Sequence, residues 1–185
     1  MTQNLTASDD SATEIAIRLR HIGQLFSTLD PSPFREKDID SDVEEFIVDW
    51  VRELPPQRPF HIVVNLPADE ACKPEAGAIG DALAHYFLYR ADVAERELRE
   101  LFRTGRTALL IGAAVLSVCL IASQLVPRVI PNRTMASIIE ESLILVGWVA
   151  NWRPIEIYLY DWWPIRRRVQ LFRRIAAAPV LVRPV

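Results

Sequence analysis

Five charged residues, Glu140, Glu141, Arg153, Glu156 and Asp161, lie in or beside apolar runs. Ionisable groups at membrane depth are costly, and where they persist they mark a conduction pathway or a partner contact. Arg153 and Glu156 stand three residues apart, a spacing that lets them pair on one helix face. The plainer alternative is that Arg153 and Asp161 only anchor a helix at the membrane–water interface. Both readings stay open at the level of sequence.

Other groups offer less. Asp38, Asp40, Asp42, Glu44 and Glu45 resemble the start of a calcium loop, D-x-D-x-D. The sixth position is Val43 where such a loop needs Gly, and the twelfth is Asp49 where it needs Glu. Helix capping and dipole complementarity account for these acids, so no metal site is expected. His21, His61 and His85 are scattered, and the two cysteines, Cys72 and Cys119, have no metal-ligand spacing. There is no nucleophile elbow, P-loop, dinucleotide fingerprint or paired CxxC. No catalytic residue and no cofactor are expected, and the chain reads as a non-enzyme.

The elements that would carry the five charges are membrane segments. Thr107 to Pro127 holds no charged residue and is bracketed by Arg106 and Arg128. A bilayer core of ~30 Å takes about 20 helical residues, so this stretch fits one crossing. A second crossing centres on Ser142–Trp152, too short unless extended. Extension to Trp163 brings in Arg153, Pro154 and Glu156; extension back to Thr134 brings in Glu140 and Glu141. The first register is preferred, because Arg153 and Glu156 can pair and because Trp152, Tyr158, Tyr160, Trp162 and Trp163 would form an interfacial aromatic belt. Pro154 predicts a kink. Beyond Pro164, Ile165, Val169, Phe172 and Ile175 form one stripe among Arg166, Arg167, Arg168, Arg173 and Arg174. That pattern predicts a basic amphipathic helix on an anionic leaflet rather than a nucleic-acid contact.

Charge is unevenly spread. Residues 1–89 carry 7 Lys/Arg and 16 Asp/Glu, and residues 90–185 carry 14 Arg and 8 Asp/Glu, so a net charge of −3 hides an acidic front and a basic back. Five Arg precede the first crossing and five follow the second, while residues 128–141 contain only Arg128 and Arg133. The positive-inside rule then puts both termini in the cytoplasm. The N-terminus lacks a basic region followed by an apolar core, so no cleavable signal is expected.

The predicted plan is α+β with a membrane part. Residues 1–12 read as a disordered lead-in and 13–104 as a cytosolic β-α-β-α domain. A first transmembrane helix (105–127), a periplasmic loop (128–137), a second transmembrane helix (138–163) and a basic amphipathic tail (164–185) follow. In the domain, Glu14–Arg20 alternates like a half-buried strand and Asp30–Pro33 is a Pro-rich turn. Ser41 and Glu44 form a capping-box pattern before a helix that would bury Val43, Phe46, Ile47, Trp50, Val51 and Leu54. Phe60–Leu66 reads as a central strand. The last helix, from about Pro74, runs on into the first crossing. A strand–helix–strand unit pairs its strands in parallel, but two strands make a marginal sheet. Close packing against the long helix, or self-association, would have to complete it.

Two stretches carry a resemblance: Leu25-Phe26 with Asp30-Pro31-Ser32-Pro33-Phe34, and Gly147-Trp148-Val149-Ala150 with Trp152-Arg153-Pro154-Ile155-Glu156 and Tyr160-Asp161-Trp162-Trp163-Pro164. They resemble a family of bacterial proteins, uncharacterised in function, with two membrane segments near the C-terminus. The resemblance implies that topology and a bacterial inner membrane. It implies no activity and carries over no functional residue. The expected function is that of a non-enzymatic membrane-anchored interaction or regulatory protein, with the lipid bilayer, anionic lipids and either a second copy or a membrane-protein partner as contacts. The alternative is a subunit of a transport or channel assembly that uses the charged second crossing; a membrane-bound enzyme is a weaker third.

Overall fold

A seven-residue apolar run organises the sheet. Phe60–Leu66 forms strand β2, buried along nearly its whole length, as a central parallel strand must be. The computed structural model describes residues 12–26 and 38–185, which fall into two units. The first takes the chain up to Val93 together with Arg168–Val185, and the second is Ala94–Arg167. The expected lead-in, up to residue 11, and the Pro-rich turn at Asp30–Pro33 lie outside the described residues.

In the first unit, strand β1 (Thr13–Arg18) buries Ile15 and Ile17 and pairs with β2 in parallel, from Thr13 opposite Phe60 to Arg18 opposite Asn65. A third strand, β3 (Val180–Pro184), pairs in parallel with the other side of β2, from Ile62 opposite Val180 to Leu66 opposite Pro184. The fold is mixed α/β around a three-stranded parallel sheet. The strand that completes the sheet therefore comes from this chain's own tail, the segment expected to be a basic amphipathic tail with no strand in it. The helical part of that tail does form, but its apolar stripe is not left for lipid. Ile165, Val169, Phe172 and Ile175 are all buried, and Phe172 and Ile175 join the core with Ile15, Ile62 and Phe87. An amphipathic stripe specifies only that something apolar covers it; here the protein supplies the cover.

Helix α1 (Ser41–Glu53) starts one residue earlier than the capping-box pattern implies. Asp40 is the cap, its Oδ1 accepting from the Asp42 amide at 3.1 Å. Glu44 is thereby freed to turn inward. The helix buries Ile47, Val48 and Val51, whereas Phe46 and Trp50, expected in the core, are 42% and 46% exposed. Five apolar positions spread over too wide an arc for one helix face, and the sheet takes the side that contains Val48. A short helix, α2 (Ala68–Ala71), and a 3-10 turn (Pro74–Ala78) lead into helix α3 (Ile79–Val129).

α3 is one uninterrupted helix of 51 residues that contributes to both units. With its leading turn it is the one helix among the described residues long and apolar enough to cross a membrane. Its apolar stretch faces outward: Leu110 is 73% exposed, Ile111 61%, Val118 66% and Ile121 62%. The following loop is shorter than expected, Ile130–Asn132, because Asn132 caps helix α4 (Arg133–Val149) by accepting from the amides of Thr134 and Met135. α4 ends in a turn at Ala150–Asn151, before helix α5 (Trp152–Glu156), a π-helical turn (Ile157–Asp161) and helix α6 (Trp162–Ala176). The break thus precedes Pro154 by three residues. Proline conflicts with the carbonyl four residues back, here Ala150, and is accommodated in a helix's first turn, where its missing N–H costs nothing.

Candidate functional site

The second unit gathers three of the five sequence-selected charges. Arg153 Nη1 lies 3.0 Å from Glu156 Oε2 and 3.3 Å from Asp161 Oδ2. The first contact follows from i,i+3 spacing on α5. The second spans eight residues, and the π turn makes it possible, because its wider ring advances fewer degrees per residue and brings Asp161 round to Arg153's side. One cation is thus held between two carboxylates, and all three side chains remain partly open. Glu140 and Glu141 are not part of this cluster. They lie mid-α4, Glu140 half-buried and Glu141 exposed, with no ion-pair partner among the described residues.

Beside the cluster is a polar group that sequence reasoning missed. Asn151 is buried, and its Nδ2 donates to the carbonyls of Gly112 (3.1 Å) and Gly147 (3.0 Å), tying the end of α4 to α3. Both glycines are points of close approach. A Cβ on Gly112 would lie 2.7 Å from Asn151 Oδ1, and one on Gly147 would lie 2.8 Å from Leu116 Cδ1. Gly112 belongs to the small-x-x-x-small pair with Ala108, whose purpose is to let helices meet closely. A lone amide inside the apolar run before Trp152 was the available signal for Asn151.

The aromatic belt and basic residues sort into two kinds. Trp152, Tyr158, Tyr160 and Trp163 are exposed, and Trp162 donates its Nε1–H to the Tyr158 carbonyl at 2.9 Å. The Arg166 guanidinium stacks 5.7 Å from the Trp162 ring centroid and Arg167 4.9 Å from that of Trp163. Arg168 and Arg173 are exposed. Arg174 departs from the membrane-surface expectation: it donates to the carbonyls of Pro55 (2.9 Å) and Arg58 (2.6 Å) and stacks over Phe60 at 5.1 Å. Its role is to hold the helix-to-strand tail on the sheet domain.

Three further ionic clusters belong to the first unit. Glu44 accepts from the Tyr86 hydroxyl at 2.6 Å and pairs with Arg90 at 2.8 Å, while Arg90 also stacks 5.6 Å from the Phe172 ring centroid. Burial, then the hydrogen bond to Glu44, pushes the Tyr86 hydroxyl well above its ordinary pKa. Glu44 therefore joins α1 to α3 through Tyr86 and Arg90. Glu70 on α2 is buried; it accepts from Lys73 and from the Ile22 amide at 3.0 Å, and His21 Nδ1 lies 3.6 Å away. The hydrogen bond from Lys73, then that from Ile22, lowers its pKa from 4.5 to about 2, and the same contact raises that of Lys73. His61 sits 3.8 Å from Glu14, which also pairs with Arg183 across the sheet. These arrangements tie one element of the unit to another.

Comparison with family models, curated proteins and solved structures found no match to this chain.

Proposed function

We propose that the chain is an integral membrane protein that works as a non-enzymatic anchor for a cytosolic interaction or regulatory domain. The observation that carries this reading is the outward-facing apolar stretch of α3, Leu110 to Ile121, in a chain whose sheet domain has a closed core of its own, with Ile62, Val64, Leu66 and Phe87 at zero exposure. An apolar surface of that length is costly in water and neutral in hydrocarbon.

The sheet supports the finer topology. β1 and β3, at opposite ends of the chain, pair with the same strand β2, so they belong on the same side of any bilayer. A chain with both ends on one side crosses an even number of times. If α3 crosses, a segment between it and α6 crosses back, and α4 with the α5–π-turn region is the candidate for a two-span hairpin. The clustering of Arg in residues 90–106 and 166–174 favours the cytoplasmic side of a bacterial inner membrane for the domain.

The charges around the second span fit anchoring better than conduction. Arg153 is neutralised by Glu156 and Asp161, and the neighbouring Trp and Tyr side chains suit an interface. The test is extraction of membranes by alkaline carbonate with protease protection of tags at each end. Retention in the pellet with both tags cleaved only after permeabilisation from the cytoplasmic side is expected; release into the supernatant would refute the anchor.

A further inference from the structure

The outer face of α1 has a composition that neither the sheet nor the anchor needs. Phe46 and Trp50, one turn apart, stand nearly half exposed with ring centroids 6.2 Å apart. Asp42, Glu45, Asp49 and Glu53 flank them and line a shallow groove along the helix. Asp49 pairs with Arg52 at 2.9 Å; Asp42, Glu45 and Glu53 have no cationic partner among the described residues. The opposite face, Ile47, Val48 and Val51, already satisfies the core, so the aromatic pair is not left over from packing.

The spacing is that of one half of a helix–helix contact: an apolar seam at i and i+4 with charges along its solvent side. Large aromatic side chains dominate the energetics of protein interfaces, and flanking charge selects the partner by complementarity. The four flanking groups are all carboxylates, so the complement carries Lys or Arg beside an apolar seam, with a guanidinium able to stack on the Trp50 ring. A helix of 13 residues is about 20 Å long, which sets the partner segment at three to four turns. We propose that this face docks a basic amphipathic helix of a partner protein. The proposal rests on the interaction-domain reading above and names the class of partner.

The full-length chain in nanodiscs of zwitterionic lipid would be titrated with a fluorescent 14-residue helical peptide bearing a Leu seam and Lys/Arg flanks. A peptide of the same composition with the seam scrambled, and one with Glu flanks, serve as comparisons. Binding of the basic amphipathic peptide alone is expected, weakened at least tenfold by Trp50→Ala and by the double change Asp49→Lys with Glu53→Lys. The doubly changed protein should instead take the Glu-flanked peptide. These are surface positions, and unchanged circular dichroism of each variant would show that the fold is intact. Equal affinity for seam and scrambled peptides, indifference to Trp50→Ala, or a self-associated dimer in sedimentation that buries Trp50 would each overturn the proposal. None of those results would release the chain from membranes, so failure here and failure of the anchor are separate outcomes.

Discussion

The two units use the same apolar residues in opposite directions. In the sheet unit, Ile15, Ile62, Val64, Leu66, Leu83 and Phe87 are essentially inaccessible; in the helical unit, Leu110, Ile111, Val118, Ile121, Leu145 and Val149 are mostly exposed. Where α3 and α4 of that unit meet, what points inward is small or polar: Gly112, Gly147, Cys119, Ser123, Ala136 and Asn151. Water forces the first arrangement. The second is the arrangement expected where the surroundings are as apolar as leucine and close backbone contact and hydrogen bonds hold helices together.

The contrast can be broken in several places. Removal of Val180–Val185 should have the largest effect, because it leaves a two-stranded sheet with one side of β2 unpaired; loss of the cooperative unfolding transition in denaturant is expected. Phe87→Ala should cost the sheet domain about 3–5 kcal/mol, while Leu110→Ala should change its unfolding by less than about 0.5 kcal/mol, both read from guanidinium titrations. Comparable losses would erase the distinction between the units. In the helical unit, Gly112→Leu forces a side chain into the space of Asn151 and should cost about 1–3 kcal/mol in thermal unfolding in detergent.

A pH titration sharpens the comparison from the other side. The Glu70 carboxyl has a folded pKa of about 2 against an ordinary 4.5, so its stabilising contribution is present above pH 4.5 and is lost as pH falls from there towards 2. Glu70→Gln should lower the domain's unfolding midpoint above pH 5 and flatten its acid limb in that window, narrowing the gap to the unchanged protein as the pH falls. A small effect is expected for Arg153→Leu, since partly exposed ion pairs contribute about 0–1 kcal/mol in water. A much larger loss in bilayers than in aqueous detergent would mean that the cluster sits deeper than the interface.

Much of this was legible in the sequence, and what was not has physical reasons. β2 was read to its ends and α1 almost so, since a continuous apolar run and an acid-capped 3.6-residue pattern are local signals. The uncharged stretch after Arg106 likewise announced the one long apolar helix. β3 was invisible because Val180–Pro184 is short, and its partner lies more than a hundred residues away. The stripe on α6 was seen, but amphipathicity does not distinguish a lipid surface from a protein core. Phe46 and Trp50 were assigned inward because periodicity fixes an arc and not which edge of it is covered. Of the candidate site, the Arg153–Glu156 pair followed from spacing. The reach to Asp161 depended on a π turn that no local pattern announces.

The closing strand also sets a timetable. β3 follows β2 by more than a hundred residues, so until the ribosome has made residues 180–184 β2 has a neighbour on one side only. The sheet cannot be finished before Val180–Pro184 are made, long after β1 and β2 have emerged. A nascent polypeptide stalled before residue 180 would carry an unfinished sheet, open to chaperones and proteases.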